Sequence, residues 1–145
     1  MIYFDTSFLT PLFRPESTSK ALGKFFRETG QIGLATSQWT RAEFSSLIAR
    51  DVRMKIIDAA RAETLENRFE AELAQSFTLI APAIGDFEIC KRYLQRYETG
   101  LRAGDALHLA VAKRNNADAI YSLDDRMIRA GKLLGLPVSR GIRAR

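Results

Sequence analysis

The chain opens Met1-Ile2-Tyr3-Phe4-Asp5-Thr6-Ser7. Ile2, Tyr3 and Phe4 form a short apolar run of strand formers, without the polar alternation of a half-exposed strand. Asp5-Thr6-Ser7 is a run of helix-capping residues. A buried strand that passes directly into a helix is the first unit of an α/β fold.

The same hand-over recurs along the chain. A short helix is expected over Phe8–Phe13, stopped near Pro15. Ser17–Glu28 is a clearer helix, with Leu22, Phe25 and Phe26 at helical spacing and Gly30 as its end. Ile32–Ala35 reads as a second strand, and Thr36-Ser37 caps a helix running to about Arg50. A polar helix covers roughly Lys55 to Gln75, with Leu65, Phe69 and Leu73 four apart. Phe77–Ile80 is a third strand, ended by Pro82, and Ile84, Phe87, Leu94 and Tyr97 stripe the helix after it. Ala103–Arg114 is apolar nearly all round, which predicts burial. Ala119–Tyr121 is a fourth strand, Asp125–Leu134 a helix closed by Gly135, and Leu136–Val138 a fifth, edge strand. No linker or internal repeat interrupts residues 1–145, so a single domain is expected. Short, unalternating strands between helices predict a three-layer α/β/α fold around a short-stranded central parallel sheet. Right-handed crossovers would then place the working site beyond the carboxyl ends of the strands.

Composition narrows the chemistry. The 145 residues are 46% hydrophobic and 27% charged, a globular rather than a disordered mix. One cysteine (Cys90) and one histidine (His108) exclude an internal disulfide framework and a zinc site of Cys and His. No window has the apolar length of a membrane span, and the N-terminus lacks the basic and apolar regions of a signal peptide. A soluble cytoplasmic protein is the expectation. Lys and Arg number 22 against 17 Asp and Glu, a net charge of +5 that favours a polyanionic partner. All of the excess lies in residues 76–145, with twelve basic and seven acidic side chains. From Arg126 to Arg145 there are six basic residues and no acidic one. That stretch is either a solvated tail or a phosphate-facing rim.

Four carboxylates sit where a core-building sequence rarely puts them. Asp5 ends the first apolar run; it is a good cap for the next helix, and it also marks the expected edge of the site. Glu43 projects between Trp39 and Leu47 on an apolar stripe, where a carboxylate is costly unless paired, protonated or metal-bound. Asp105 opens Gly104-Asp105-Ala106-Leu107-His108-Leu109-Ala110. The helix dipole accounts for it, but the apolar helix behind it places it at the mouth of the sheet. Asp124 and Asp125 follow the fourth strand; Asp124 is assigned to the site and Asp125 to the helix cap. Clustered carboxylates repel unless a cation holds them together, and oxygen ligands without His or Cys suit magnesium or manganese. There is no phosphate-loop or dinucleotide-turn motif, and no nucleophile elbow. His108 is expected to pack its helix or to support the site rather than act as a base, and Cys90 to lie in the core.

These residues resemble the PIN-domain ribonucleases. Asp5-Thr6-Ser7 after an N-terminal strand is similar to that family's opening motif. Glu43, Asp105 in Gly-Asp-Ala-Leu-His-Leu-Ala, and Ser122-Leu123-Asp124 match its other acidic positions. The resemblance covers the whole chain at the length of a lone PIN domain, and most resembles a VapC-type toxin of a type II toxin–antitoxin pair. It implies a magnesium- or manganese-dependent endoribonuclease acting on transfer or ribosomal RNA. It also implies a homodimer and a small antitoxin protein as partner. Carried over, Asp5, Glu43, Asp105 and Asp124 are the acidic set, with Asp5 and Asp105 the main metal ligands. Ser7 and Ser122 match supporting hydroxyl positions. Other readings stay open: RNA processing outside a toxin system, a non-catalytic RNA-binding module, a small phosphatase or DNA nuclease, or carboxylates that are only caps.

Overall fold

A computed structural model describes residues 1–30 and 33–142. Ile32, at the start of the expected second strand, and the terminal Arg143 and Arg145 lie outside the described residues. Five strands form one parallel sheet: β1 (Ile2–Phe4), β2 (Leu34–Ser37), β3 (Thr78–Ile80), β4 (Ala119–Tyr121) and β5 (Val138–Ser139). Their order is β3-β2-β1-β4-β5, with β1 at the centre. The chain winds outward from β1 to β3, then returns to the other side of β1 for β4 and β5. The switch point therefore lies between β1 and β4, where open α/β sheets hold their ligands.

The helices are α1 (Thr6–Leu9), α2 (Ser19–Thr29), α3 (Gln38–Arg53), α4 (Ala59–Ser76), α5 (Ile84–Leu94), α6 (Ala103–Arg114) and α7 (Asp125–Leu133). They cover both faces of the sheet. Tyr3 and Phe4, adjacent on β1 and both fully buried, point into opposite layers as the strand period requires. Phe4 joins Phe8, Leu22, Phe44, Leu65 and Phe69 from α1 to α4. Tyr3 joins residues of α5, α6 and α7, including Ala106, Leu107 and Leu109 to Ala112, and His108 between them is buried too. Connections that move toward β3 thus lie on one face and those that move toward β5 on the other, as right-handed crossovers demand. Among the described residues no helix is long and apolar enough to cross a membrane.

Several expected boundaries shift for local reasons. The first helix starts at Thr6, because the Asp5 side chain caps it at once, and it tightens into a 3₁₀ turn over Thr10–Leu12. Strand β2 runs on through Thr36 and Ser37. The buried Thr36 hydroxyl donates to the Phe4 carbonyl at 2.7 Å, so it sits in the sheet without an unmet polar group. The polar helix waits until Asp58, which caps α4 after a turn with Lys55 at positive φ. The fifth strand starts at Val138, since Pro137 has no N–H to give the ladder.

Of the stripe expected on α5, Leu94 packs against the core but Ile84, Phe87 and Tyr97 do not. Ile84 and Phe87 are 87% and 52% exposed, and Tyr97, in a 3₁₀ turn after the helix, is 85% exposed. The buried face instead carries Asp86 and Cys90, with Ile89, Tyr93 and Leu94 partly covered. Asp86 sets this rotation: its carboxylate accepts from the Ala83 N–H at 2.7 Å and from Arg114 of α6 at 2.5 and 3.0 Å.

Candidate active site

The register of the sheet builds the site. Phe4 pairs with Tyr121, so the residues that follow, Asp5 and Ser122, face each other at the carboxyl ends of β1 and β4. Asp5 is 3% exposed and is held from three directions. Its Oδ1 accepts from the Phe8 N–H at 3.0 Å and the Ser7 hydroxyl at 2.8 Å, and its Oδ2 from the Ser122 hydroxyl at 2.6 Å. Each serine has one hydroxyl proton, and both protons go to Asp5. The serine oxygens then accept backbone N–H groups of the next loop: Ser7 from Leu123 at 2.9 Å, Ser122 from Asp124 at 3.0 Å. This lattice ties the start of α1 to the loop after β4. Burial still raises the Asp5 carboxyl above its ordinary pKa, against the opposing pull of His108 and these donors.

Glu43 reaches the same edge from α3. Its Oε1 accepts the Thr6 hydroxyl at 2.6 Å and pairs with His108 Nε2. On the far side of the ring, Tyr3 and His108 Nδ1 are 2.7 Å apart. Burial keeps the Tyr3 phenol protonated, so its O–H donates to Nδ1 and leaves Nε2–H to donate to Glu43. Burial pushes the Glu43 carboxyl up, but the electrostatic pull of His108 and the hydrogen bonds from His108, Thr6 and Trp39 outweigh it, so its pKa falls below the ordinary value. Gly104 lets α6 approach this close: a Cβ there would stand 3.1 Å from Glu43 Oε2 and 3.3 Å from Trp39 Nε1. His108 thus lies buried between Tyr3 and Glu43, bonded to both. The roles of Tyr3 and Thr6 escape sequence reasoning, although Asp105 and His108, three apart on one helix, already share a face.

Asp105 lies half-buried in the first turn of α6 and has no hydrogen bond or ion pair among the described residues. Burial, then the negative charges of Asp124 and Asp5, push its pKa up to about 6, with Glu43 adding to the rise and His108 opposing it. The four expected carboxylates therefore act on one another across a single mouth. Asp124 corrects the expectation at the last helix. It is Asp124 that caps α7, its Oδ1 accepting from Arg126 N at 2.9 Å and Met127 N at 3.4 Å. Asp125 is exposed in the first turn, 3.5 Å from Arg140. The residue nearer the strand end is the one whose backbone is still extended, as a cap requires.

Two other carboxylates are buried more deeply than Glu43 or Asp105, and they behave differently. Asp51 (2% exposed) takes a two-pronged bond from Arg14 at 2.7 and 3.1 Å, and Asp86 (0% exposed) takes one from Arg114. Each is neutralised by an arginine. In the Asp5, Glu43, Asp105, Asp124 group no carboxylate is paired twice over by an arginine among the described residues, and the one basic side chain bonded to a member is the His108 imidazole. No three of its members converge closely enough to form a closed metal cage among the described residues. Magnesium does not need one, since it binds through one or two carboxylates and keeps its waters. The donor set, all oxygen, fits such an ion in kind.

The family model of the PIN domain matches residues 2–133. No curated protein matches the chain in sequence. Among solved structures, FitAcB of Neisseria gonorrhoeae aligns with a TM-score of 0.76 at 17% identity, over 97% of this chain and 98% of that one. VapC20 of Mycobacterium tuberculosis, described as a sarcin–ricin loop cleaving toxin, aligns at 0.72 and 19% identity, over 90% and 95%. VapBC2 of Rickettsia felis, bound to a DNA fragment from their promoter, aligns at 0.72 and 13% identity, over 96% and 98%.

Proposed function

The chain belongs to the PIN-domain family, and from that membership together with the site's geometry we propose a divalent-metal-dependent endoribonuclease, the toxin of a toxin–antitoxin pair. The observation that carries this reading is the unneutralised state of Asp105. It is a half-buried carboxylate with no hydrogen bond or ion pair among the described residues, in the field of Asp5, Asp124 and Glu43. A protein that only needed these acids for structure would give them arginines, as it does Asp51 and Asp86.

Asp5 and Asp105 would hold a magnesium or manganese ion. When bound, such an ion offsets the mutual repulsion of the acids and activates a water against a phosphodiester. The chain's own part is preorganisation. Ser7, Ser122 and the Phe8 N–H fix both oxygens of Asp5 before anything binds. Thr6 and His108 hold one oxygen of Glu43, and the other, Oε2, lies on the Trp39 side, so the carboxylate is fixed in orientation before anything binds. Asp124 uses Oδ1 for the cap, which leaves Oδ2 without a hydrogen bond among the described residues. The sarcin–ricin loop that VapC20 is described as cleaving supports RNA, transfer or ribosomal, as the substrate. The paired proteins in the VapBC2 structure support a small antitoxin as partner. A homodimer is proposed on the family resemblance.

The test is cleavage of RNA by the purified protein. Cleavage should require magnesium or manganese and stop on chelation. In Asp5→Asn, folded by circular dichroism, it should fall by more than the roughly 10–100-fold loss typical of outer-shell changes. Undiminished cleavage in Asp5→Asn, or in chelator, would contradict the proposal.

A further inference from the structure

Beside the acidic mouth lies a hollow of about 380 Å³, with Ser7, Leu123 and Asp124 on the site side and Ser17, Thr18 and Arg140 beyond them. A second hollow, of about 510 Å³, begins where these segments continue: Gly141 and Ile142 follow Arg140, and Lys20 and Lys24 follow Thr18 along α2. The two hollows share no lining residue, but the chain carries from one to the other at both borders, from Arg140 to Gly141 and from Thr18 to Lys20.

The cations along these borders are not equivalent. Arg14 also borders the first hollow, but Asp51 and Glu16 already engage it. Arg140 is different. Its Nη1 has two contacts, both long at 3.5 Å, to the Leu123 carbonyl and Asp125, and its Nε–H is buried with no partner among the described residues. A guanidinium N–H left this way is costly until an acceptor reaches the group. Lys20 makes no ion pair among the described residues, and Lys24 only an exposed one to Glu28 at 3.9 Å, which is worth little. Lys20 and Lys24 lie one turn apart on the same face, about 6 Å along the helix axis, so one strand can meet both. Ser17 and Thr18 add hydroxyl donors, and the Thr18 hydroxyl makes no capping bond.

We propose that the RNA strand on one side of the cut leaves the acidic mouth past Arg140 and runs along α2, with Arg140, Lys20 and Lys24 each meeting a phosphate. This rests on the nuclease reading for its substrate class. It assigns two of the three phosphate contacts to the first half of the chain, whereas the charge count alone pointed to the second.

The test is binding of a fluorescein-labelled 12-nucleotide uridine oligomer in chelator, followed by anisotropy across a range of salt. Each lost phosphate contact lowers the slope of log affinity against log salt by about 0.7 for a single strand. The pair K20Q/K24Q should therefore lower it by about 1.4, and R140Q by a further 0.7 or so. The control pair K91Q/R92Q, on the exposed face of α5, removes the same charge and should leave the slope unchanged. An unchanged slope in folded K20Q/K24Q, or an equal loss in K91Q/R92Q, would overturn the path. Cleavage by the wild-type protein separates the two readings. If RNA is cut and K20Q/K24Q keeps the wild-type KM, the path fails alone. If the slope falls as expected and no RNA is ever cut, the nuclease reading fails and the path stands.

Discussion

At the scale of the residue, Ser122 carries more than its size suggests. Its one proton goes to Asp5 and its oxygen receives the Asp124 N–H, so it joins two members of the acidic set. Ser122→Ala removes a donor from a carboxylate that is already buried. We expect a loss of about 1–3 kcal/mol in stability, read by denaturant unfolding, because Asp5 Oδ2 keeps only the Ser7 hydroxyl at 3.0 Å and the Asp124 N–H loses its acceptor. A variant as stable as the wild type would show that Asp5 finds another donor. The acidic set itself is legible in the sequence, because a carboxylate on an apolar stripe or at a strand end stands out. Which of Asp124 and Asp125 caps α7 is not legible, since that depends on where the backbone stops being extended. Nor does sequence separate Asp51 and Asp86, whose arginines stand 37 and 28 positions away.

At the scale of the element, the packing of α5 on α6 turns on one ion pair. Asp86 is fully buried while the Arg114 side chain is 35% exposed, so the two partners are not equivalent. Arg114→Ala strands a buried charge and should cost about 3–5 kcal/mol. Asp86→Asn leaves an exposed arginine that solvent can take up, and it keeps an acceptor for the Ala83 N–H, so it should cost clearly less. Thermal or urea unfolding of both variants checks the order; the reverse order would mean that Asp86 is solvated on opening. The same pair explains why the α5 stripe misled. Hydrophobicity favoured Ile84, Phe87 and Tyr97, and a salt bridge that no local pattern reveals rotated the helix away from them. Elements defined by their own residues were legible: the buried run of α6, the strand β4, and the Gly30 end of α2. Strand β2 was misplaced because the burial of Thr36 depends on Phe4, from a different strand.

At the scale of the whole molecule, the net charge of +5 conceals a division. Setting aside the four site carboxylates leaves 22 basic residues against 13 acidic ones, so a strongly basic protein surrounds an acidic mouth at the switch point of its sheet. That mouth makes stability depend on pH. The Asp105 carboxyl is raised from 3.8 to about 6, so the folded chain holds its proton where the unfolded chain has released it. Its contribution to stability is complete below about pH 4 and is lost as pH rises to about 6. Asp5 acts in the same direction, while Glu43, with its pKa lowered, acts in the opposite one. A divalent ion bound as proposed would compete with these protons and should therefore stabilise the fold more at neutral pH than near pH 5. The most direct test is the shift in Tm on adding manganese, measured above about pH 7 and near pH 5 for the wild type and Asp105→Asn. The account predicts a rise in the wild type that shrinks toward pH 5 and is lost in Asp105→Asn. An equal rise in Asp105→Asn, or none in the wild type at neutral pH, would contradict it.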